Sequence, residues 1–289
     1  MRPEQPLTIH EIRALSSEAL TFFNDPENIG RLGPNLAGLH WEADFAFVFF
    51  SGDPGPEAVE FLYRQPELDL RQIHHLTYAQ WQDGAGAEPF TVADLTITGP
   101  TEGAFPLKSP KGPADDSAAL PPLIIDPGLA FGFGGHPTTR TCLEFLNRAC
   151  RSKPTPASAL DLGSGTGVLS LAAAIWGVKR VIGVDYSHLA VEAAQNNLAL
   201  NHLEDRVSFF RGAAQAYAER PADILMANLH LALQEELFDL GTFRGRDRVI
   251  ISGLLPSEGD RLMAKLRSAG LKLVDQVRTD RWITMFLTS

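Results

Sequence analysis

Residues 159–185 constrain this chain more than any other stretch. Ala159 to Leu162 is a short apolar run, broken by Gly163-Ser164-Gly165-Thr166-Gly167. An Ala-rich apolar stretch of helical length follows, and Arg180 to Asp185 is a second apolar run that closes on an acid. The order reads as strand, glycine turn, helix and strand. Three glycines let a backbone turn tightly and approach a ligand that side chains would block. Asp185 falls at the carboxyl end of the second strand, where open α/β sheets bind ribose hydroxyls. Dinucleotide sites prefer G-x-G-x-x-G, in which the third glycine lets helix and strand pack closely. Val168 stands at that third position here, so the pattern is Asp161-x-G-x-G-x-G instead. An ordinary glycine-rich turn leaves the acid at the second strand end unexplained.

From Leu123 onward the apolar pattern is regular. Strands are expected near 159–162, 180–185, 206–211, 222–227, 247–252, 271–279 and 282–288. Helices are expected at 138–149, 168–176, 188–201, 231–240 and 257–269, the first capped by Thr138 or a neighbour. Alternating strands and helices imply a parallel sheet covered on both faces. The last two strands, split only at Asp280-Arg281, read as a hairpin that adds an antiparallel edge. The front of the chain is less regular. Leu7 to Phe23 has helical spacing through Ile9, Ile12, Leu15, Ala19, Leu20 and Phe23. Trp41 to Phe50 reads as a strand with Phe45, Phe47 and Phe49 on one side, Ala58 to Tyr63 as a helix, and Leu70 to Tyr78 as a strand. These elements predict a small α+β domain over residues 1–98. Residues 99–122, rich in Pro, Gly, Ala, Asp and Ser, read as a linker.

The glycine turn resembles motif I of S-adenosylmethionine-dependent methyltransferases. Three further signatures narrow the resemblance. One is the run from Asp126 through Pro127, Gly128, Ala130, Phe131, Gly132, Phe133, Gly134, Gly135 and His136 to Pro137-Thr138-Thr139-Arg140. Another is Met226-Ala227-Asn228-Leu229-His230 at the expected end of the fourth sheet strand. The third is Ser252-Gly253-Leu254-Leu255 after the fifth, with Trp282 in the last strand. Together with motif I they resemble the ribosomal protein methyltransferase family that trimethylates large-subunit ribosomal protein eleven. The likeness covers about residues 121–289 and reaches weakly back to Trp81. It implies a Rossmann-like seven-stranded class I methyltransferase sheet over residues 123–289, with the smaller N-terminal α+β domain recognising the substrate.

The resemblance also implies S-adenosylmethionine as cofactor, with Thr139, Gly163, Gly165, Asp185 and Asn228 as its contacts. Asp185 would accept from both ribose hydroxyls, and Thr139, near a helix start, would face the methionine carboxylate. Asn228 would sit beside the sulfonium and orient the incoming amine. His136, in the signature loop, is the candidate catalytic helper, with positioning of that loop as the alternative reading. Tyr186, after the acid, is read as packing on adenine or facing solvent, and the small residues Ala213 and Ala214 follow the next strand, where adenine recognition commonly occurs. His230 is read as facing substrate or solvent, and His74 and His75 as surface or packing residues. The chain departs from the family at Phe133, where many members carry threonine, and lacks the usual basic residue after Trp81.

The reaction so implied is methyl transfer to lysine or N-terminal amines of a basic ribosomal protein. Residues 1–118 hold 7 Lys+Arg against 18 Asp+Glu, and residues 119–289 hold 18 against 17. An acidic front half argues against tracking a phosphate backbone and suits a basic protein partner. Base and glutamine-amide methyltransferases typically carry Asn-Pro-Pro-aromatic, and Asn228-Leu229-His230-Leu231 has neither proline. Methylation of another protein or a small amine, or a non-catalytic cofactor-binding scaffold, are the alternatives. Apolar residues make up 44% and charged residues 21% of the chain, and no stretch is long enough to cross a bilayer. From the polar start no signal peptide is expected, and Cys142 and Cys150 are read as buried thiols in a reducing cytoplasm. A monomer is expected, with no metal site, no membrane contact and no direct nucleic-acid binding.

Overall fold

The computed structural model describes residues 4–16, 19–23, 25–42, 45–77, 80, 89–100, 120–126, 128, 135–279 and 281–289. Two compact units emerge: residues 1–86 with 187–189, and residues 87–186 with 190–289.

In the first unit β1 (Pro6–Ala14) is followed by α1 (Ala19–Phe22), α2 (Pro26–Arg31), β2 (Leu36–Glu42), β3 (Phe45–Ser51), α3 (Pro56–Tyr63) and β4 (Leu68–Thr77). The strands form an antiparallel sheet in the order β2-β3-β1-β4. Ile12, Val48, Phe50, Phe61, Leu62 and Leu32 make up much of the core on one side. α2 starts on Asp25, whose carboxylate accepts from the Glu27 amide at 2.9 Å, with Pro26 in the first turn.

Two expectations are corrected here. Leu7 to Phe23 is not one helix, because residues 6–14 form the strand between β3 and β4. Leu7, Thr8, Ile9 and His10 are all buried, so that part of β1 is covered on both faces. Such a strand need not alternate, and Ile9 and Ile12 sit three apart because they belong to opposite faces. Residues 41–50 likewise span the end of β2 and most of β3 rather than one strand. Phe49 is buried, as are Ala46, Val48 and Phe50 on the opposite face.

In the second unit β5 (Phe90–Val92), β6 (Leu95–Thr98) and β7 (Leu123–Ile124) form a small sheet, antiparallel between β5 and β6 and parallel between β6 and β7. Then come α4 (Pro137–Arg151), β8 (Ser158–Leu162), α5 (Val168–Ile175), β9 (Arg180–Asp185), α6 (His188–Asn201), β10 (Val207–Arg211), β11 (Ile224–Asn228), α7 (Leu231–Asp239), β12 (Arg248–Leu254), α8 (Pro256–Ser268), β13 (Lys272–Arg278) and β14 (Ile283–Thr288). Asp94, in the β5–β6 turn, anchors the small sheet to the helices. Its carboxylate accepts from Asn147 at 3.0 Å, from Trp176 at 2.9 Å and from Arg151.

Among the described residues the large sheet has seven strands in the order β10-β9-β8-β11-β12-β14-β13. β8 to β12 run parallel, β14 lies antiparallel to β12, and β13 lies antiparallel to β14. This is the Rossmann-like methyltransferase arrangement, and its elements fall within two residues of those read from periodicity. The buried parallel strands are near-continuous apolar runs, as strands covered on both faces must be. Leu160, Leu162, Leu225, Val249, Ile251 and Met285 lie at the centre of the core. The chain leaves β8 towards β9 on one side, and β11 lies on the other. This topological switch lies at the carboxyl ends of β8 and β11, the place where open α/β sheets form their ligand crevice.

Candidate functional site

Three glycines build the turn after β8. Gly163, Gly165 and Gly167 have φ of 73°, 53° and 84°, a region that side chains disfavour. The amides of Gly163 and Ser164 both donate to the Val184 carbonyl, at 2.8 and 3.0 Å, so the turn is stitched to the end of β9. Asp185, the last residue of β9, accepts from the Gly165 amide through Oδ2 at 2.9 Å. The sequence-predicted turn and its acid are therefore one hydrogen-bonded unit. A Cβ on Gly163 would run into Leu229, and one on Gly167 into the Phe209 ring. Side chains of the neighbouring strands, then, explain two of the three glycines.

Asp161 opens the motif and is missing from the sequence-based site. It is 1% exposed, and its Oδ2 accepts from the Ser170 hydroxyl at 2.7 Å. Its Oδ1 meets no donor among the described residues. Burial pushes its pKa up to about 7, with the Ser170 hydrogen bond pulling the other way and the nearby Asp185 charge raising it further. A buried carboxylate oxygen with no donor, beside a glycine turn, leaves a place for a donor from a ligand. Its signal in the sequence was the acid that begins the glycine pattern.

On the other side of the crevice stands the first turn of α4. His136 is its N-cap, with extended backbone (φ −60°, ψ 138°) and Pro137 in the first turn. His136 Nδ1 accepts from the Thr138 amide at 3.4 Å and lies 2.7 Å from the Thr138 hydroxyl. The amide contact makes Nδ1 the unprotonated nitrogen, so the proton sits on Nε2 and the Thr138 hydroxyl donates to Nδ1. That hydroxyl in turn accepts from Asn228 Nδ2 at 3.3 Å. With its NH2 turned to Thr138, Asn228 presents Oδ1 as its acceptor. The His136 ring also meets Trp282 edge-on, with centroids 5.3 Å apart.

The remaining expected residues are spread around this frame. Thr139 is buried in the same turn of α4. Tyr186 is 61% exposed, Ala213 is exposed and Ala214 is buried. His230 caps α7, its Nδ1 accepting from the Leu233 amide at 3.4 Å. His74 approaches Glu11 at 3.2 Å, and His75 approaches the Thr8 hydroxyl at 3.3 Å. Cys142 and Cys150 are free and buried, and burial pushes both thiols up to about 12. Phe133, Trp81 and most of the proposed linker lie outside the described residues. Periodicity also passed over Asn197, a fully buried residue of α6. It accepts from the Asp126 amide at 2.7 Å and donates to the Thr166 carbonyl at 2.9 Å, joining the start of the signature segment to the glycine turn.

The sequence profile of the family described as Ribosomal protein L11 methyltransferase (PrmA) matches residues 85–289. The chain belongs to that family. A curated relative, the ribosomal protein L11 methyltransferase of Synechococcus sp. (strain RCC307), is 38% identical over 178 residues, which cover 59% of this chain and 57% of the relative. The ribosomal protein L11 methyltransferase of Staphylococcus haemolyticus (strain JCSC1435) is 31% identical over 171 residues, covering 58% of this chain and 53% of its own length. The chain thus spans little more than half the length of the curated relatives it matches. A crystal structure of ribosomal protein L11 methylase from Lactobacillus delbrueckii subsp. bulgaricus superposes with a TM-score of 0.54 and 25% identity, covering 68% of this chain and 95% of that one. Among the described residues no helix is long and apolar enough to cross a membrane.

Proposed function

We propose that this chain transfers methyl groups from S-adenosylmethionine to lysine or N-terminal amines of ribosomal protein L11. The observation that carries the reading is Asn228, held at the tip of β11 by Thr138 across the crevice from the glycine turn and Asp185. The residues present fit the cofactor. Asp185 supplies a charged acceptor for ribose hydroxyls, Thr139 lies in the first turn of α4, where the helix end favours a carboxylate, and Asp161 Oδ1 awaits a donor such as an ammonium group.

When bound, S-adenosylmethionine supplies an electrophilic methyl carbon on a positively charged sulfur. An amine held beside Asn228 would take the methyl group through its nitrogen lone pair, with the carbon–sulfur bonding pair going to sulfur and the surplus ammonium proton to solvent. The protein's part is to hold nitrogen, carbon and sulfur in line, which can remove much of the barrier. Asn228 Oδ1 is positioned to accept from the amine N–H and so aim its lone pair. His136 keeps Thr138 in place rather than taking the proton, because its Nδ1 is occupied by the α4 cap. An amine leaving water for the crevice loses its charge more readily, which favours the nucleophilic form.

The N-terminal α+β segment serves as the recognition module in this reading, and its acidic balance speeds encounter with a basic protein. The chain works as a cytoplasmic monomer without direct contact to nucleic acid.

The test is transfer of radiolabel from S-adenosylmethionine to unmodified ribosomal protein L11, with Asn228→Ala as control. Label transfer that falls steeply but measurably in the control supports both substrate and site. Cofactor binding without transfer to L11 would overturn the substrate.

A further inference from the structure

Gln234 lies in the first turn of α7 and is fully buried. Its Nε2 donates to Ser252 O at 2.8 Å, Leu229 O at 2.9 Å and Ala227 O at 3.3 Å. Two hydrogens serve three carbonyls, so the two short contacts are direct and the long one is shared. Ala227 and Leu229 flank Asn228 in the chain. One side-chain amide therefore grips the peptide groups on both sides of the residue that orients the amine.

The same point is crowded from the opposite direction. Leu229 N also donates to Ser252 O, at 3.1 Å. Gly253 has φ of 82°, and a Cβ there would lie 2.7 Å from Leu229 O and 2.9 Å from Leu229 N. The end of β12 thus lies directly against the Leu229 peptide. The Leu229 side chain fills the space beside Gly163 in the glycine turn. Fixing Leu229 consequently fixes the spacing between that turn and Asn228.

Only the donor half of the Gln234 amide is partnered. Gln234 Oε1 is buried and meets no donor among the described residues. Burying an unsatisfied acceptor costs free energy, which the bonds from Nε2 to the three carbonyls offset. The favourable half of the amide is spent on the β11 tip.

We infer that Gln234 is a positioning residue for methyl transfer, holding the Asn228–Leu229 tip in register with the glycine turn. The inference rests on the methyl-transfer reading above. In-line displacement is sensitive to misplacement of about 1 Å, so loosening the tip slows transfer without removing any group that touches the reactants.

The experiment uses the full chain with Gln234→Met, which keeps length and loses both donors, and Gln234→Asn, which keeps the amide but withdraws it from the three carbonyls. Three quantities are read: deuterium uptake of peptides covering 227–233, cofactor affinity by calorimetry, and kcat for label transfer to L11 per folded molecule. The expected result is uptake faster by about tenfold at 227–233 in both variants, with distant peptides unchanged. Alongside it, kcat falls by about 10- to 50-fold while cofactor affinity stays within about threefold of wild type. In an Asn228→Ala background, Gln234→Met should change kcat by less than about twofold, because the positioned group is already gone. An equal fall in both backgrounds, or a lowered Tm with kcat unchanged, overturns the inference in favour of packing alone. If one variant does not fold, the other decides. Should wild-type protein transfer nothing to L11, the methyl-transfer reading falls, and unchanged uptake at 227–233 would overturn the clamp by itself.

Discussion

The side-chain amide of Asn228 donates to the hydroxyl of Thr138 at 3.3 Å, across 90 residues of sequence. That one contact ties the tip of a sheet strand to the first turn of a helix, and it decides which end of the Asn228 amide faces the crevice. The His136 ring completes the arrangement by accepting from Thr138 in turn.

Thr138→Val removes the acceptor and frees the Asn228 amide to turn over. A net hydrogen bond contributes about 1 kcal/mol, and leaving a buried partner unsatisfied costs about 1–3 kcal/mol, so kcat for methyl transfer should fall roughly 5- to 100-fold. Thr138→Ser should stay near wild type. Steady-state kinetics with calorimetric cofactor affinity as a control checks this. A Val variant with unchanged kcat would show that Asn228 needs no such partner.

Asp185→Ala takes away both the acceptor expected for the ribose and the partner of the Gly165 amide. Hydrogen bonds to charged groups contribute about 1.5–3 kcal/mol, so S-adenosylmethionine should bind roughly 10- to 200-fold more weakly. Calorimetry reads this directly, and an unchanged dissociation constant would misplace the ribose.

Asp161 makes the fold pH-dependent in a defined direction. The unfolded carboxyl ionises near 3.8, whereas the buried one is pushed up to about 7. Between those values the folded state keeps a proton that the unfolded state has lost, so stability falls as pH rises through the window, and the penalty is complete above it. Asp161→Asn should therefore gain Tm relative to wild type from pH 5 to pH 8. A ligand ammonium at Oδ1 would favour the ionised form, so cofactor binding at pH 6 should release a proton in wild type. Binding heats that do not depend on the ionisation enthalpy of the buffer would count against that contact.

His136→Asn separates capping from proton transfer. Asparagine is a good N-cap, so helix stability should change little, whereas His136→Ala should lose about 1 kcal/mol. If His136 serves by holding Thr138, the Asn variant should keep kcat within about tenfold of wild type with an unshifted pH–rate profile. Loss of one limb of that profile would instead make the imidazole a general base.

Much of the second unit was legible because its buried strands are short continuous apolar runs set between helices of regular period, and because the glycine turn has few alternative uses. The same reasoning failed at residues 7–23. Ile9 and Ile12 lie on opposite faces of β1, and a strand covered on both sides carries no alternation to read. Trp41 to Phe50 blurred for the same reason, since Phe49 and its neighbours Val48 and Phe50 are all buried.

Within the candidate site, local pattern determined the elements and the residue types: the turn at Gly163 to Gly167, the acid at Asp185, and Asn228 at a strand end. The turn follows from backbone requirements, whereas Asp185 and Asn228 stood out by their places at strand ends and by the family resemblance. Tertiary structure alone decided the partnerships. Thr138 meets Asn228, Asn197 joins Asp126 to Thr166, Leu229 fills the space beside Gly163, and Gln234 grips Ala227, Leu229 and Ser252. A hydrogen-bond donor in a sequence carries no mark of which distant acceptor it will find. Strand order and helix packing bring the two together, and burial then makes the pairing obligatory.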